Sequence, residues 1–289
     1  MATRCWTAVA EARRPVPLWA LLVTLALLVA GLSASPAQLP SLPDGAATRW
    51  VVSQPEEIVR YLLFDPATVE RQRPTSLRFI TVKELATGGV PWAVDYLAAT
   101  PSRGAWGVSF LEILRAGTFT IDAHAPSWPE HGAAAVWFAR VAPADARADL
   151  GPGQPFLMLG FWMPDRQYVA EMNRLGHYAE FGDVRLQQNP GGKWAGTLSV
   201  DGLRVVAECT PTGPISGGPQ SRGTQALFPP ATSSVTDVVR IAFAGHRVRA
   251  CTDDSVWTLR GTDPLARGVF VGPAEFQSGY ELVGGAYRR

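Results

Sequence analysis

Residues 156–186 read FLMLGFWMPDRQYVAEMNRLGHYAEFGDVRL and predict a strand, a helix and a second strand in succession. The run FLMLGFW is apolar, and Asp165 behind it is a residue type that caps helix starts. One helical face is shared by Tyr168, Val169, Met172 and Leu175. Gly176 stands where a helix end favours glycine. The polar stretch GHYAEFGD then separates this helix from the next strand.

On both sides of this stretch the apolar residues recur every second position, which is typical of strands. The predicted strands are LRFITVKE, WAVDYLAA, WGVSFLEIL, GTFTID and AAAVWFARV before it, and DVRLQQ, KWAGTLSV, LRVVAEC, DVVRIAF, HRVRAC and SVWTLRG after it. Residues 189–192 and 201–202 are hairpin turns by their glycines. Residues 210–234, rich in Pro, Gly, Ser and Thr, are interpreted as one long loop. The pattern predicts a mainly β domain, β-rich α+β, with one or two short helices.

The first of these helices is predicted over residues 54–63. Ser53 and Glu56 have the spacing of a capping box, and the residues after them place apolar side chains on one helical face. Residues 38–52 are rich in Pro, Ala and Gly and are interpreted as a linker. The folded domain is therefore predicted to span 53–289.

Residues 1–37 are predicted to be a signal peptide or an N-terminal membrane anchor. Residues 16–34 form an uncharged apolar run, preceded by Arg13 and Arg14 and followed by small residues. The run is long for a signal core and matches one membrane crossing. Both alternatives make the domain extracytoplasmic, either secreted or periplasmic, or anchored by 16–34.

The composition limits the kinds of binding partner and cofactor that we expect. The net charge of +1 gives no electrostatic basis for binding nucleic acid, and we expect membrane contact only through the N-terminal segment. The chain has two lysines, Lys83 and Lys193. Cys209 and Cys251 could pair in an exported domain or remain two buried thiols. No metal-type cysteine spacing occurs, so we expect no metal and no cofactor. The sequence leaves the oligomeric state open.

Three stretches resemble one known family. They are the strand–helix–turn at 156–178, the hairpin AGTLSVDGLRVVA at 195–207, and WTLRGTDPLARGVFVGPAEFQSGYEL near the C-terminus. Their order resembles that of the acetoacetate decarboxylase family, and FLEILRAG resembles a further strand of it. The resemblance implies that family's fold, a closed, cone-like antiparallel β-barrel with a largely apolar central cavity.

The chemistry implied by the resemblance differs from what this chain contains. Family enzymes carry a lysine just after a tyrosine in the turn, and its free amine forms an imine with a keto acid. Here the turn reads Tyr178-Ala179-Glu180, without lysine. Arginines cannot substitute, because a guanidinium stays charged and is not nucleophilic. Both lysines are predicted to be solvent-exposed.

The resemblance also supplies candidate site residues. Glu112 matches a cavity glutamate, and a carboxyl in an apolar barrel would have a raised pKa; its alternative is an outward-facing strand position. His177 and Glu180 are candidate acid–base groups in the turn, or parts of a helix-ending turn. Arg78 is a candidate carboxylate clamp, or a surface arginine. The remaining candidate substrate contacts are Phe156, Met158, Trp162 and Tyr178.

Two functions remain open. The first is a protein that holds a small apolar or carbonyl-containing molecule in its barrel, without imine chemistry. It predicts a cavity lined by Trp and Phe, with Glu112 and Glu180 turned outward. The alternative is a lyase or decarboxylase-type enzyme acting on an oxo acid through carboxylate and histidine acid–base groups. It requires at least two titratable groups that converge in the cavity.

Overall fold

The computed structural model describes residues 49–121, 132–218, 221–234 and 237–287, which form a mainly β unit. Within these ranges the strands are β1 Arg49–Ser53, β2 Glu56–Phe64, β3 Leu77–Phe79, β4 Gly107–Arg115, β5 Thr118–Ile121, β6 Ala133–Pro143, β7 Gln154–Met163, β8 Glu180–Phe181, β9 Asp183–Gln188, β10 Trp194–Val200, β11 Leu203–Cys209, β12 Pro211–Gly217, β13 Arg222–Phe228, β14 Val238–Ala244, β15 Arg247–Cys251, β16 Trp257–Gly261, β17 Val269–Ser278 and β18 Glu281–Tyr287. The helices are α1 Val82–Thr87, α2 Pro91–Ala99 and α3 Arg166–Arg174. Short 3₁₀ turns occur at Pro66–Thr68, Glu70–Gln72, Pro101–Arg103 and Pro264–Arg267.

The strands form two sheets. The larger has the order β12-β15-β17-β2-β4-β6-β7-β13-β14-β18-β1-β5, with β3 beside β6 and β8 beside β7. Its pairs are antiparallel except that β7 lies parallel to β13 and to β8. The smaller sheet, β16-β11-β10-β9, packs its apolar face against the larger one in a shared core.

Strand β2 shows how the larger sheet separates two environments, because successive side chains point to opposite faces. Ile58 and Leu62 are completely buried in the core shared with the smaller sheet. Gly196 of β10 permits this contact, since a Cβ there would lie only 2.9 Å from Ile58 Cδ1. Glu57 and Val59 point to the other face, which surrounds a cavity.

The predicted helix after Pro164 is confirmed as α3. Asp165 Oδ1 accepts hydrogen bonds from the backbone N–H of Gln167 at 2.6 Å and of Tyr168 at 3.2 Å. Gly176 ends the helix with φ +87°, and a Cβ there would also meet Ala286 Cβ at 2.9 Å. The glycine therefore lets the chain turn sharply towards the cavity, directly before His177.

The predicted helix over 54–63 is wrong, and so is the end of the predicted linker. Residues 49–53 form β1 and residues 56–64 form β2, so the described fold begins before Ser53. Strand β2 is hydrogen-bonded to β4 and β17 along its length. Glu56 forms an ion pair with Arg115 across the sheet instead of capping a helix. Pairing with two neighbours outweighs the local helical pattern, which short apolar runs do not settle.

Two helices were predicted as strands. WAVDYLAA forms α2, which begins with Pro91 at a position that favours proline and packs against α1. Only Leu77–Phe79 of LRFITVKE is a strand, and α1 follows it. The capping box belongs to Thr81 and Glu84 at the start of α1. The pattern of a short apolar segment did not distinguish a helix from a strand here.

The predicted loop over 210–234 is also wrong in part, because it contains β12 and β13. Strand β13 lies between β7 and β14 and buries Ala226, Leu227 and Phe228. Cys209 and Cys251 form a disulfide with a Cα–Cα distance of 5.1 Å. The disulfide joins the end of β11 in the smaller sheet to the end of β15 in the larger one.

The predicted signal or anchor, residues 1–37, and most of the predicted linker lie outside the described residues. Among the residues that are described, no helix is long and apolar enough to cross a membrane.

Candidate functional site

A cavity of about 420 Å³ lies on the face of the larger sheet opposite the smaller one. Side chains from strands far apart in the sheet line it, including Leu282 of β18, Leu114 of β4, Met158 of β7 and Ile241 of β14. The sheet therefore curls around the cavity. Most of the wall is apolar. Two groups of polar side chains stand out in it, and Thr118, Tyr168 and Gln225 add further polar atoms.

The first polar group is an acidic cluster built on β2, β4 and β17. In the sheet register Glu57 lies opposite Leu114 on one side and Gln277 on the other, and Glu112 lies opposite Val59. Directly opposed residues share a face, so Glu57, Glu112 and Gln277 all point towards the cavity. The strand register thus brings together residues distant in sequence.

Tyr280 and His246 complete this acidic cluster. Tyr280 lies close enough to Glu57 for this carboxyl to raise the pKa of the tyrosine. Gln277 Oε1 accepts a hydrogen bond from His246 Nε2, which lies 3.9 Å from Glu57 Oε1. Gln277 Nε2 in turn donates to Glu275 Oε2 at 3.0 Å. His246 and Gln277 therefore connect Glu57 to Glu275.

Burial controls the protonation of the acidic cluster. Removal from water raises the pKa of Glu112 well above its ordinary value, and the nearby charge of Glu57 raises it further. Burial, with Glu57 and Glu112 nearby, also raises the pKa of Tyr280. A carboxyl that keeps its proton to higher pH presents an O–H donor. Glu112 can therefore donate a hydrogen bond to a carbonyl oxygen in the cavity.

The second polar group is His177, which is 3% exposed. Its ring centroid lies 5.3 Å from that of Trp50 and 5.6 Å from that of Phe161. Burial lowers its pKa to about 3, so the ring is neutral near neutral pH. Neither ring nitrogen has a hydrogen-bond partner among the described residues, and the same holds for Trp50 Nε1.

Only some of the predicted site residues line the cavity. Glu112, His177 and Met158 do, so the outward orientation of Glu112 that was expected for a binding protein is wrong. Phe156 is buried against Phe110, with ring centroids 5.2 Å apart, and does not belong to the cavity lining.

Trp162, Tyr178 and Glu180 line a different, more polar pocket together with Asp201 and Asp263. The Tyr178 hydroxyl donates to Glu180 Oε1 at 2.7 Å. Trp162 is separated from the cavity because its neighbours on β7, Phe161 and Met163, point there instead. Glu180 is therefore not grouped with Glu112 and His177.

Arg78 and both lysines lie away from the cavity. Arg78 sits between the buried Leu77 and Phe79 on β3, so its side chain points outward, where it pairs with Glu84 at 2.7 Å. Lys83 is exposed on α1. Lys193 pairs with Glu208 at 2.5 Å beside the β9–β10 turn. Arg78 is therefore a surface arginine, which was the alternative to a role as carboxylate clamp.

Sequence reasoning missed several residues that line the cavity, namely Trp50, Glu57, His246, Gln277 and Tyr280. The helical interpretation of 54–63 concealed Glu57. With that segment interpreted as a strand, the period of two would have placed Glu57 and Val59 on one face. Tyr280 and Gln277 carried no such signal. Across the described residues, no group of three or more His, Cys, Asp or Glu side chains is placed to hold a metal ion.

No family model matches the chain, and no curated protein matches its sequence. Solved structures do match. An acetoacetate decarboxylase-like enzyme from Sphingomonas wittichii RW1 is 17% identical, with a TM-score of 0.52 over 90% of this chain and 99% of that one. The acetoacetate decarboxylase of Legionella pneumophila is 11% identical, with a TM-score of 0.53 over 97% and 98%.

The enduracididine biosynthesis enzyme MppR, solved in complex with pyruvate, is 14% identical, with a TM-score of 0.51 over 84% of this chain and 91% of that one. In each of these three comparisons the match extends over more than four-fifths of both chains. The protein has the fold of the acetoacetate decarboxylase-like proteins.

Proposed function

We propose that this protein holds a small, uncharged, largely apolar molecule that carries a carbonyl group, inside a closed, cone-like barrel and without imine chemistry. The observation that carries the proposal is the apolar cavity with a buried carboxyl, Glu112, at one side. Its volume of about 420 Å³ lies in the range of roughly 300–1,000 Å³ typical of small-molecule sites.

Strand pairing supports closure of the barrel. Only Gln54 and Pro55 separate β1 from β2. Pairing that starts at β2 passes through β4, β6, β7, β13, β14 and β18 and returns to β1. The path thus ends on the same stretch of chain on which it began. A closed sheet has no exposed edge in its ring and encloses its interior.

The charge of the lining supports an uncharged ligand. The ionisable groups at the acidic cluster are carboxyls, Tyr280 and His246, and His246 already lies beside Glu57, so a carboxylate ligand would meet the like charge of the carboxyls. A carbonyl oxygen can instead accept a hydrogen bond from protonated Glu112. The exposed positions of Lys83 and Lys193 support a mode of binding that forms no imine.

We also propose that the domain is extracytoplasmic, secreted or anchored through residues 16–34. The disulfide between Cys209 and Cys251 supports this, because disulfides persist in oxidising compartments. A reporter enzyme that is active only after export, fused behind Arg289, should be active with the full chain and inactive when residues 1–37 are removed. Equal activity of both fusions would contradict export.

A second candidate function is a lyase-type enzyme that acts on an oxo acid through carboxylate and histidine groups. The convergence of Glu57, Glu112 and Tyr280 in one cavity favours acid–base chemistry. Glu180 lines the other pocket, so it is not assigned a role in this candidate enzyme. The acidic lining disfavours the oxo acid itself and favours proton exchange next to an uncharged carbonyl.

A binding experiment separates these candidates. Calorimetry on the full chain, in detergent if it remains membrane-bound, would compare a medium-chain methyl ketone with the oxo acid of the same chain length. We expect the ketone to bind about tenfold or more tightly, which corresponds to about 1.4 kcal/mol. Glu112→Leu should abolish this preference. Failure of every ketone tested to bind would overturn the proposal.

Turnover is measured in the same samples. Exchange of the ketone's α-hydrogens in D₂O, followed by NMR, reports acid–base catalysis, and release of CO₂ from the oxo acid reports decarboxylation. Ketone binding without either reaction supports the binding protein. Exchange that Glu112→Gln or Glu57→Gln abolishes would support the enzyme instead.

A further inference from the structure

The cavity contains polar atoms that the acidic cluster does not use. Trp50 Nε1, His177 Nδ1 and His177 Nε2 are buried and have no hydrogen-bond partner within the described part of the chain. Both side chains line the cavity, and their rings lie 5.3 Å apart. Three polar atoms without a partner in that part of the chain are therefore grouped at one place on a largely apolar wall.

Burial of three polar atoms without hydrogen-bond partners destabilises the folded state. A buried donor or acceptor without a partner costs about 1–3 kcal/mol, and folded proteins contain few of them. The side chains are also held in place. His177 N–H donates to Met172 O at 2.9 Å, and the Asn173 side chain hydrogen-bonds both backbone groups of Ala179, at 2.8 and 2.9 Å. The local structure thus fixes His177 beside the cavity although its ring gains no partner there.

The hydrogen-bonding capacity of the three atoms determines which ligand groups can bind beside them. A neutral imidazole offers one N–H donor and one acceptor nitrogen, and the indole offers one N–H donor. The burial that keeps His177 neutral means that no positive charge is available for an anion. A hydroxyl group can donate to the acceptor nitrogen of His177 and accept from the N–H of Trp50. A carbonyl group can accept from the two N–H groups, but it leaves the acceptor nitrogen of His177 without a partner.

Sheet register separates this group from the acidic cluster by about two strands. Glu112 on β4 lies opposite Val136 on β6, which lies opposite Phe161 on β7. Two strand spacings amount to roughly 10 Å. The Phe161 ring then contacts His177, with centroids 5.6 Å apart. Val136 and Phe161 form an apolar floor between the two polar places.

We infer that Trp50 and His177 form a second polar subsite, so that the cavity recognises an apolar molecule with a carbonyl at one end and a hydroxyl at the other. This rests on the proposed function, since the carbonyl end is the one assigned to Glu112. The ligand class becomes an ω-hydroxy ketone or a molecule of similar shape, rather than a simple ketone.

The test compares a medium-chain methyl ketone with its ω-hydroxy analogue by calorimetry on the full chain. We expect wild type to bind the hydroxy ketone about tenfold more tightly. His177→Phe removes both nitrogens and keeps an aromatic ring, so the ratio of its affinities for the two ligands should fall to about one. Met158→Leu, which changes the lining without removing a polar atom, should keep the preference.

If His177→Phe does not fold, Trp50→Phe provides the same comparison, with a partial loss of the preference expected. Equal affinity of wild type for both ligands would overturn the subsite while leaving the proposed function in place. A preference that both aromatic variants retain would overturn it too. If neither ligand binds wild type, the proposed function fails and the subsite fails with it.

Discussion

Glu57 and Glu112 occupy diagonal positions on the adjacent strands β2 and β4, and both side chains face the cavity. Diagonal neighbours of this kind are roughly 7–8 Å apart at their backbones, within reach of two glutamate side chains. The charge of Glu57 therefore contributes to the raised pKa of Glu112. This pair gives the cavity a proton that can be donated, and it leads to the first prediction.

Glu112→Gln should become more stable relative to wild type as the pH rises from 4 to 8. The pKa of Glu112 is raised in the folded state, so the native protein binds more protons than the unfolded chain. The contribution of Glu112 to stability is fully present below the pKa that it has in the unfolded chain. It is lost as the pH rises through the pKa that it has in the folded protein. Thermal unfolding at several pH values measures the difference, at roughly 2–4 °C per kcal/mol.

Glu281→Gln is the matched control, because Glu281 is exposed on β18. Its unfolding temperature should follow that of wild type across the same pH range. If Glu112→Gln also follows wild type, the buried, raised-pKa carboxyl inferred here does not exist.

His177→Phe should remove part of the acid sensitivity of the fold. The pKa of His177 falls from 6.5 to about 3 on burial, so the native state resists protonation. The stability that His177 contributes is present above pH 6.5 and is lost as the pH falls towards 3. Between pH 6 and 4 the free energy of unfolding of the variant should rise relative to that of wild type by about 1.4 kcal/mol for each pH unit. Urea unfolding measures this difference.

Trp50→Phe is the control for this experiment, because it alters the ring beside His177 and leaves the histidine in place. Its free energy of unfolding should be lower than that of wild type by a similar amount at every pH. Parallel curves for wild type and His177→Phe would show that His177 titrates normally and is not buried.

Reduction of the disulfide between Cys209 and Cys251 should destabilise the protein by about 4 kcal/mol, from the entropy of closing a loop with a sequence separation of 42. Urea unfolding with and without a reductant measures the loss. The double variant Cys209→Ala/Cys251→Ala should show a similar loss and no further response to the reductant. Labelling of Cys209 or Cys251 in the unreduced protein, located by mass spectrometry, would contradict the pairing.

Borohydride treatment of the full chain with a methyl ketone or an oxo acid should leave no stable adduct at either lysine. Lys83 is exposed, Lys193 is paired with Glu208, and neither lines the cavity, so neither amine meets a ligand held there. Mass spectrometry of the digested protein measures this. An adduct at Lys193 that Lys193→Arg removes would restore imine chemistry as a possibility.

Individual helices and strands show which parts of the fold can be predicted from the sequence. The segment 156–186 was predicted correctly as strand, helix and strand, because Asp165 and Gly176 are strong local signals at the two ends of α3. Glu112 was correctly identified as a cavity residue from a resemblance. Short apolar segments without such end signals were assigned less well, and 54–63 and 91–99 were each given the wrong type of element.

The candidate site was predictable only in fragments. Glu112 and His177 were recognised, whereas Glu57, Tyr280 and Trp50 were not. These residues meet because β2 pairs with β4 and β17, and β1 pairs with β18. No local pattern states which strands become neighbours, since pairing depends on the whole sheet. Arg78 and Glu180 were predicted to contribute and do not line the cavity, because alternation along their segments directs them elsewhere.

The sequence by itself determined the mainly β character, the helix α3 with the glycine that follows it, the hairpin turns and the lack of a lysine in the Tyr178–Glu180 turn. These follow from local backbone preferences and residue identity. The tertiary structure alone decided which side of each strand faces the cavity and that Cys209 meets Cys251. It also decided that a carboxyl pair and His177, whose ring nitrogens have no hydrogen-bond partner among the described residues, share one largely apolar space. Strand register sets these distances, and register is a property of paired strands rather than of either strand alone.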